Sequence, residues 1–387
     1  MRKIGLIPLR KGSKSIKNKN RKKLLGRPLF SWVLYEAVKS SLDEVYIFTD
    51  DEYIADYVNS EYNYLKKVRL INRSSESATD RASTELAIKE FLHKIDNNYD
   101  ILCLLQATSP LTTSSDINNV LTSLINDKVD SILTAVLMKR FIWDKEGYPL
   151  NYNPNNRPRR QDFEGILVEN GAIYATTRKQ FEQSGNRIGG KIGIARMPED
   201  TFTELDEQAD WLIIERLLIN RLKANKKVKG KIKALFLDVD GVFTTGRVFF
   251  GESGELSKEF SIIDGMGLEL LRDEGVDVYV ITSEDSKIVT NRMKKLKIEN
   301  YYPNIKDKYA KVEELLTHNN IKRSEIAYMG DDINDLSNLL SVGWSFCPSN
   351  AVNEVKYLAD IILHAEGGKD AIREAVGFVI KFNSRGE

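Results

Sequence analysis

The sequence predicts an α/β protein with two doubly wound domains, and three observations carry this prediction. The chain has 387 residues, more than one ordinary hydrophobic core accommodates, so two domains are expected. Short apolar runs alternate with segments of helical periodicity, which is typical of parallel sheets covered by helices on both faces. A lysine-rich stretch, residues 222–236, separates two such regions and predicts domains of residues 1–226 and 227–387. The alternative, a merely solvated helix end, is weaker because the strand and helix pattern restarts after it.

The composition indicates a globular protein and argues against several functional classes. The formal net charge is only +1, so no overall basic field favours nucleic acid. No stretch approaches the roughly 20 apolar residues of a membrane span. The two cysteines are far apart and in no metal-binding pattern, which suits a reducing cytoplasm. The three histidines lie in no motif, so acidic, basic and amide side chains are expected to carry the chemistry.

Each region has its own set of predicted elements. In the first, strands are expected at residues 3–9, 44–50, 100–106 and 131–136, and helices at residues 29–41, 84–95 and 115–126. In the second, strands are expected at residues 233–240, 276–284 and 326–332, and each ends in polar or acidic residues. Ligands bind beyond the carboxyl ends of strands in such sheets, so these three ends predict one shared site.

The stretch FLDVDGVFTTG, residues 236–246, leads an apolar strand into a pair of aspartates. A calcium loop that began at Asp238 would need glycine sixth and glutamate twelfth, but phenylalanine stands at both places. An acidic turn without a ligand is the second alternative. However, Asp238 and Asp240 face the same way on an extended chain, and Asp331 and Asp332 follow another strand. Four acids at strand ends favour a Mg²⁺ site that handles phosphate.

Short motifs in the second region resemble, in order and spacing, those of the haloacid dehalogenase superfamily of phosphatases. The motifs are DVDGV at 238–242, ITS at 281–283, the lysine of KDK at 306–308, and GDDIND at 330–335. Residues 238–267 are most similar to the cap-less branch that acts on 3-deoxy-octulosonate 8-phosphate and on nonulosonate 9-phosphates. The resemblance covers about residues 230–380 and implies a haloacid dehalogenase-like domain.

The resemblance implies a role for each matched residue. Asp238 is expected to be the nucleophile that forms an aspartyl-phosphate, and Asp240 the general acid and base. Thr282 is expected to hold phosphate oxygens, and Lys308 to neutralise charge on the nucleophile and phosphate. Mg²⁺ is expected to bind Asp331, Asp238 and the carbonyl of Asp240.

Glu284, Arg292 and Lys295 predict the substrate of this domain. Glu284 ends the second predicted strand, and the two cations follow it. Glu284 stands where the eight-carbon branch usually has arginine, and a glutamate accepts hydrogen bonds from glycerol or amide groups. Arg292 and Lys295 resemble cations of the nonulosonate branch that meet the substrate carboxylate from a neighbouring subunit. These observations favour a nonulosonate 9-phosphate. The alternative for the two cations is an ordinary basic surface helix.

Residues 6–29, after the first predicted strand, carry nine basic side chains. A solvated loop is one alternative, and a nucleic-acid patch is another, weakened by the lack of interleaved aromatic residues. The sequence patterns of the P-loop and of dinucleotide-binding turns are absent from this stretch. A loop of glycine, serine and cations after a strand suits a triphosphate.

This loop and several later stretches resemble the acylneuraminate cytidylyltransferases, which make CMP-sialic acids from CTP. The later stretches are residues 48–51, 104–117, 159–174 and 189–211. The resemblance covers about residues 1–222 and implies a Rossmann-like nucleotidyltransferase domain.

The resemblance also implies the binding residues of this domain. CTP is expected to contact Arg10, Gly12, Ser13, Lys14, Lys19, Asn20, Arg73 and Ser83, with Arg10 and Lys19 also stabilising the reacting phosphates. The sugar acid is expected to contact Gln106, Gln161, Glu169, Asn170 and Tyr174. Glu204 and Asp206 are expected to bind Mg²⁺, although the family has aspartate where Glu204 stands.

Together the two resemblances predict a cytoplasmic bifunctional enzyme of sialic acid activation. The second domain would release phosphate from a nonulosonate 9-phosphate, and the first would transfer CMP from CTP to the free sugar acid, either N-acetylated or deaminated. A homo-oligomer is expected, as a dimer through the first domain and a tetramer through the second. One alternative is that the second domain is a non-catalytic assembly module, which the presence of Asp238 and Asp240 argues against. Another is that it acts on octulosonate 8-phosphate.

Overall fold

The computed structural model describes residues 1–12, 15–224, 226, 229–252 and 254–386, and the chain divides into two compact units. One unit comprises Met1–Lys22 and Pro28–Glu215, and the other comprises Lys23–Arg27 and Arg216–Glu387. The boundary between residues 226 and 227 stays a prediction.

A seven-stranded sheet forms the first unit. The strands of the first half of the chain are β1 (Lys3–Leu9), β2 (Lys23–Leu24), β3 (Arg27–Pro28), β4 (Glu44–Thr49), β5 (Val68–Asn72), β6 (Ile101–Leu105), β7 (Ser131–Met138), β8 (Ile166–Thr177) and β9 (Ile192–Met197). The sheet order is β5-β4-β1-β6-β8-β7-β9, with β8 antiparallel to both neighbours and the other pairs parallel. The predicted parallel sheet is therefore interrupted by β8. The connection before β8, residues 139–165, contains no α-helix along its fully described length, so the chain returns without a parallel crossover.

Four of the six described helices of the first half, α2 to α5, begin at a side chain that caps them. They are α1 (Leu29–Lys39), α2 (Glu52–Glu61), α3 (Thr84–Lys94), α4 (Ser114–Asn126), α5 (Arg178–Ser184) and α6 (Gln208–Ala224). Thr113 and Asp116 form a capping box at the start of α4, and the Ser83 side chain caps α3. The three predicted helices are thus confirmed to within two residues at each end. Apolar residues of the sheet, among them Leu6 and Phe48, share one core cluster with Phe91 of α3.

A six-stranded sheet, in which every pair of neighbours is parallel, forms the second unit. The remaining strands are β10 (Ala234–Leu237), β11 (Thr244–Gly251), β12 (Gly254–Phe260), β13 (Asp277–Ile281), β14 (Tyr301–Tyr302), β15 (Ile326–Met329), β16 (Trp344–Cys347) and β17 (Ile361–Ile362). The remaining helices are α7 (Ile262–Asp273), α8 (Lys287–Lys295), α9 (Lys308–Asn319), α10 (Leu336–Ser341), α11 (Asn353–Leu358) and α12 (Ala371–Asn383). The order is β14-β13-β10-β15-β16-β17, while β11 and β12 form a separate antiparallel hairpin. The predicted α/β class is confirmed, and the three predicted strands are β10, β13 and β15.

Across the described residues, every helix is either too short or too polar to cross a lipid bilayer. Cys103 and Cys347 are both buried free thiols.

Candidate active sites

A cavity of about 270 Å³ lies at the carboxyl ends of β1 and β6 in the first unit. Six residues predicted to bind nucleotide or sugar line it: Arg10, Lys19, Asn20, Arg73, Ser83 and Gln106. Sequence reasoning did not select Thr79, Asp80 and Thr108, which also line the cavity. Thr79 and Asp80 lie in an irregular loop without a motif, whereas Thr108 lies in the matched stretch 104–117, where only Gln106 was selected. The cavity therefore gathers most of the predicted CTP residues at the edge of the sheet where ligands of such folds bind.

Three cations line this cavity, namely Arg10, Lys19 and Arg73, and each contacts different partners. Arg10 forms an ion pair with Asp80. Lys19 is buried, and its Nζ donates to the Leu205 carbonyl at 2.7 Å and to Asp206 Oδ1 at 3.2 Å. Such fixed cations suit the charges of a triphosphate.

Arg73 and the first turn of α3 complete the anion-binding side of the cavity. Arg73 is buried and donates to the side chain and the carbonyl of Ser77. Burial lowers the pKa of the Arg73 guanidinium, and the carboxylates of Asp50 and Glu90 act in the opposite direction. Ser83 lies at the start of α3, where backbone N–H groups and the helix dipole favour an anion.

Glu204 lies against Gly171, a residue of β8 whose positive φ favours glycine. Gly171 has φ +65°, and a β-carbon there would lie 2.1 Å from Glu204 Oε1. Burial raises the pKa of the Glu204 carboxyl, and the nearby carboxylates of Asp206 and Glu169 raise it further. Lys19, which pairs with Asp206, lowers the pKa of Glu204, but one lysine balances only one of the three acids. This corner therefore suits a bound metal ion.

Other residues predicted in the first domain lie elsewhere. Gln161 is exposed, and Asn170 is buried with its Oδ1 accepting from Thr134 Oγ1 at 2.7 Å, so neither lines the cavity. Glu169 accepts a hydrogen bond from the hydroxyl of Tyr174 outside the cavity lining. Gly12 is exposed, with φ +87°. The predictions for Ser13 and Lys14 lie outside the described residues.

A second cavity, in the second unit, is formed where three parallel strands end side by side. Leu237 of β10 pairs with Val280 of β13 and with Met329 of β15, so the residues after these strands meet at one edge. The lining residues include Asp238, Asp240, Thr282, Glu284, Asp331 and Asp332. This is the shared site that the sequence predicts.

Lys308 is the centre of a buried ion-pair network that reaches this cavity through Asp238. Its Nζ lies 2.7 Å from Asp238 Oδ1 and 2.8 Å from Asp335 Oδ1, and all three side chains are at most 7% exposed. The hydroxyl of Tyr328 also donates to Asp335 Oδ1, at 2.7 Å. Sequence reasoning missed Asp335, although GDDIND contains it, because only the strand end itself was considered.

The acids of the second cavity carry more negative charge than one lysine balances. Burial raises the pKa of Asp238 to about 7, while Lys308 lowers it and Asp335 raises it. Burial and the charges of Asp238 and Asp335 together raise the pKa of Asp331 to about 9, although Lys308 acts in the opposite direction. Burial lowers the pKa of Lys308, but its two carboxylate partners raise it by more. The cluster therefore favours an additional cation.

The same acids have the arrangement that a metal ion needs. Among the described residues, one group of three acidic side chains, Asp238, Asp331 and Asp335, places ligand oxygens within 4.8 Å of one another. Asp331 Oδ1 is buried without a hydrogen-bond partner. An oxygen in that state is costly unless a ligand binds it, and clustered carboxylates are suitable ligands for Mg²⁺.

Asp240 is held by a lysine that sequence reasoning did not select. Lys258 of β12 has a side chain only 1% exposed, and its Nζ lies 2.8 Å from Asp240 Oδ1 and 3.3 Å from Glu255 Oε1. Lys258 occurs in the matched stretch 238–267, but nothing in its local sequence distinguishes it from a surface lysine. The contact fixes the Asp240 carboxylate at the mouth of the cavity.

Of the three substrate residues predicted in this domain, one lines the cavity and two do not. Glu284 lines the cavity beside Thr282, and its N–H donates to Thr282 Oγ1 at 3.2 Å. Arg292 donates instead to the Ser261 carbonyl at 2.8 Å, and Lys295 is exposed. Neither cation lines the cavity within one chain, and their contribution from a neighbouring subunit stays a prediction.

Two family models match the chain in succession. Residues 4–226 match the cytidylyltransferase model, and residues 272–375 match the model of haloacid dehalogenase-like hydrolases.

Individual relatives match the same two regions. N-acylneuraminate cytidylyltransferase A of Danio rerio is 31% identical over 382 residues, which cover 95% of this chain and 86% of that protein. The 3-deoxy-D-manno-octulosonate 8-phosphate phosphatase of Haemophilus influenzae is 33% identical over 150 residues, which cover 39% of this chain and 83% of that protein. A solved structure of the corresponding Moraxella catarrhalis phosphatase, with magnesium, phosphate and KDO, is 29% identical. The superposition of the two structures covers 43% of this chain and 94% of the Moraxella catarrhalis chain, with a TM-score of 0.39.

Proposed function

Because the chain belongs to the cytidylyltransferase family and its second half to the haloacid dehalogenase-like phosphatases, we propose that it is a bifunctional enzyme. The second domain hydrolyses a nonulosonate 9-phosphate to the free sugar acid and phosphate. The first domain then transfers CMP from CTP to that sugar acid and releases pyrophosphate. The product of one site is the substrate of the other, so both sites recognise the same sugar.

The observation that carries this proposal is the intact charge network of the second cavity. Lys308 contacts Asp238 at 2.7 Å, Thr282 lies beside it, and Lys258 holds Asp240. A non-catalytic assembly module has no use for a buried lysine between two carboxylates, because such groups are expensive to desolvate. The network therefore favours an active phosphatase over an assembly module.

The proposed phosphatase reaction gives Asp238 and Asp240 one role each. An Asp238 oxygen attacks the phosphorus of the monoester, and the bond to the sugar oxygen breaks. The Asp240 carboxyl donates its proton to that oxygen, and the free sugar leaves an aspartyl-phosphate behind. The Asp240 carboxylate then takes a proton from water, which attacks the phosphorus and restores Asp238.

Lys308 and Thr282 stabilise the charge that develops during both steps. Lys308 is fixed by two carboxylates, so it needs no reorganisation when the phosphoryl group transfers. Mg²⁺, for which Asp238, Asp331 and the carbonyl of Asp240 are the proposed ligands, would supply further positive charge to the phosphoryl oxygens.

In the first domain, the proposed reaction is an attack on CTP. The anomeric hydroxyl of the sugar acid gives up its proton to solvent water, its oxygen attacks the α-phosphorus, and the bond to pyrophosphate breaks. Arg10, Lys19 and Arg73 provide fixed positive charge for the three phosphates, with Ser83 at the helix N-terminus. Glu204 and Asp206 are the proposed ligands of a second Mg²⁺.

Glu284 is proposed to set the preference for nine-carbon over eight-carbon sugar phosphates. Its carboxylate lines the cavity, where it would repel a sugar carboxylate and accept hydrogen bonds from a glycerol or amide group. We expect Glu284→Arg to reduce the ratio of the two kcat/KM values, nine-carbon to eight-carbon, by about 10-fold or more. The measurement is steady-state phosphate release from each substrate.

Glu299→Arg, which reverses the charge of a glutamate absent from the cavity lining, is the matched control and should leave the ratio unchanged. A wild-type ratio at or below one would contradict the proposed preference. An unchanged ratio in Glu284→Arg would contradict the role of this residue.

Separate assays of the two half-reactions test the proposed function. Purified protein with Mg²⁺ is incubated with a panel of 8- and 9-phosphorylated sugar acids, and phosphate is measured. A parallel incubation supplies CTP and the free sugar acids, and pyrophosphate is measured. We expect phosphate from nonulosonate 9-phosphate and pyrophosphate from the free nonulosonate. Pyrophosphate release without phosphate release from any substrate would favour the assembly module.

A further inference from the structure

Residues 23–27, which form all but the last residue of a short hairpin in the first half of the chain, belong to the second unit. Residues 23–27 lie inside the stretch matched by the cytidylyltransferase model, yet they group with Arg216–Glu387. β2 and β3 form the two arms of this hairpin, and Leu25 and Gly26 form its turn. None of its residues lines either of the two cavities described above.

Arg27 joins the hairpin to the second unit through a buried, two-pronged ion pair. Its Nε donates to Asp307 Oδ1 at 3.0 Å and its Nη2 to Asp307 Oδ2 at 2.9 Å. The two side chains are 3% and 1% exposed. A buried pair of this geometry is highly directional, and loss of one partner removes a charge-assisted contact from the other.

Asp307 in turn fixes the residue that follows it. Its Oδ1 accepts a hydrogen bond from the Ala310 N–H at 3.1 Å and so caps α9. Lys308 is the first residue of that helix, and its Nζ reaches Asp238 at 2.7 Å. Arg27 is therefore linked to the proposed nucleophile in three steps. Arg27 pairs with Asp307, a peptide bond joins Asp307 to Lys308, and Lys308 pairs with Asp238.

The turn of the hairpin also touches the loop that carries the other acids. The Leu25 carbonyl accepts a hydrogen bond from Ser337 Oγ, two residues beyond Asp335. Gly26 has φ +85°, and a β-carbon there would lie 2.3 Å from the Ile333 carbonyl oxygen. The turn thus contacts the GDDIND loop, while Arg27 contacts the residue before Lys308.

From these contacts we propose that Arg27 is a positioning residue for phosphate release. It holds Lys308 against Asp238 by clamping Asp307, although the cytidylyltransferase family model covers its position. The inference rests on the proposed phosphatase function of the second cavity. Arg27 has no place in the cytidylyl site, so its loss should affect one half-reaction and spare the other.

The test uses the full-length chain and the variants Arg27→Ala, Arg27→Lys and Asp307→Asn. Misplacing Lys308 slows the chemical step, so kcat for phosphate release should fall by about 10-fold to about 10²-fold in Arg27→Ala and Asp307→Asn. KM for the phosphorylated sugar should stay within about 2-fold, because the pair does not touch substrate. Lysine keeps the charge but lacks the planar fork, so Arg27→Lys should recover only part of kcat.

The double variant Arg27→Ala with Asp307→Asn should be no slower than the slower single variant, because both changes remove the same contact. Pyrophosphate release from CTP and free sugar should remain within about 2-fold in every variant. Arg178→Ala, which removes an exposed arginine paired with Glu182, is the matched control and should leave both activities unchanged. If Arg27→Ala does not fold, phosphate release and pyrophosphate release are compared in Arg27→Lys and Asp307→Asn instead.

Three results would overturn the inference. One is an unchanged kcat for phosphate release in Arg27→Lys and Asp307→Asn. Another is an equal loss of both activities, which would indicate a general structural role. Additive losses in the double variant would also contradict it. A wild-type protein that releases no phosphate would overturn the proposed phosphatase function as well, and so the two failures are distinguishable.

Discussion

Asp238→Asn is expected to reduce phosphate release by at least about 10³-fold, because an amide cannot act as the nucleophile. The variant also removes one of the two carboxylates that hold Lys308. Pyrophosphate release should remain within about 2-fold of wild type, since Asp238 does not line the first cavity. The measurement is the initial rate of phosphate and of pyrophosphate release by the same preparation.

Asp277→Asn provides the matched control for this change. Asp277 is an exposed residue at the start of β13, at the opposite end of the strand from Thr282. Its substitution should leave both rates unchanged. If Asp238→Asn abolished pyrophosphate release along with phosphate release, the two sites would not be independent.

Asp206→Asn is expected to reduce pyrophosphate release by at least about 10²-fold, the size expected when a transition state loses a charged group. Asp206 contacts Lys19 at 3.2 Å and lies near the half-buried Glu204. Its loss therefore disturbs a cation of the proposed CTP cavity and the proposed metal pair. Phosphate release should be unaffected. Rates measured over a range of Mg²⁺ concentrations should also show that the variant needs more Mg²⁺ than wild type.

Glu207→Gln, at the exposed neighbouring position, is the control and should retain the wild-type rate and Mg²⁺ dependence. A wild-type rate for Asp206→Asn at limiting Mg²⁺ would refute the assignment of Asp206 as a metal ligand.

The location of both cavities at the carboxyl ends of parallel strands was predictable from the sequence, because the end of a strand is a local feature. Asp238, Thr282 and Asp331 each follow an apolar run, and parallel strands of one sheet bring such ends together. Arg10 and Gln106 follow strands in the same way and line the first cavity. The α/β class was predictable for the same reason.

What the sequence did not predict depends on contacts between distant residues. Arg27 and Asp307 are 280 positions apart, and no local sequence pattern around either residue predicts the contact. Asp335 follows the strand end by six residues, beyond the range that the strand argument covers. The antiparallel direction of β8 depends on the irregular path of residues 139–165, which hydrophobic periodicity does not describe.

Formation of the CMP-sugar from the phosphorylated sugar by this one chain tests the bifunctional account most directly. Purified protein is supplied with Mg²⁺, CTP and nonulosonate 9-phosphate as the only sugar, and all products are followed over time. We expect phosphate to appear first, followed by CMP-nonulosonate and pyrophosphate, with all three reaching equal amounts. Failure to form CMP-nonulosonate, by a preparation that forms it readily from the free sugar acid, would contradict the account.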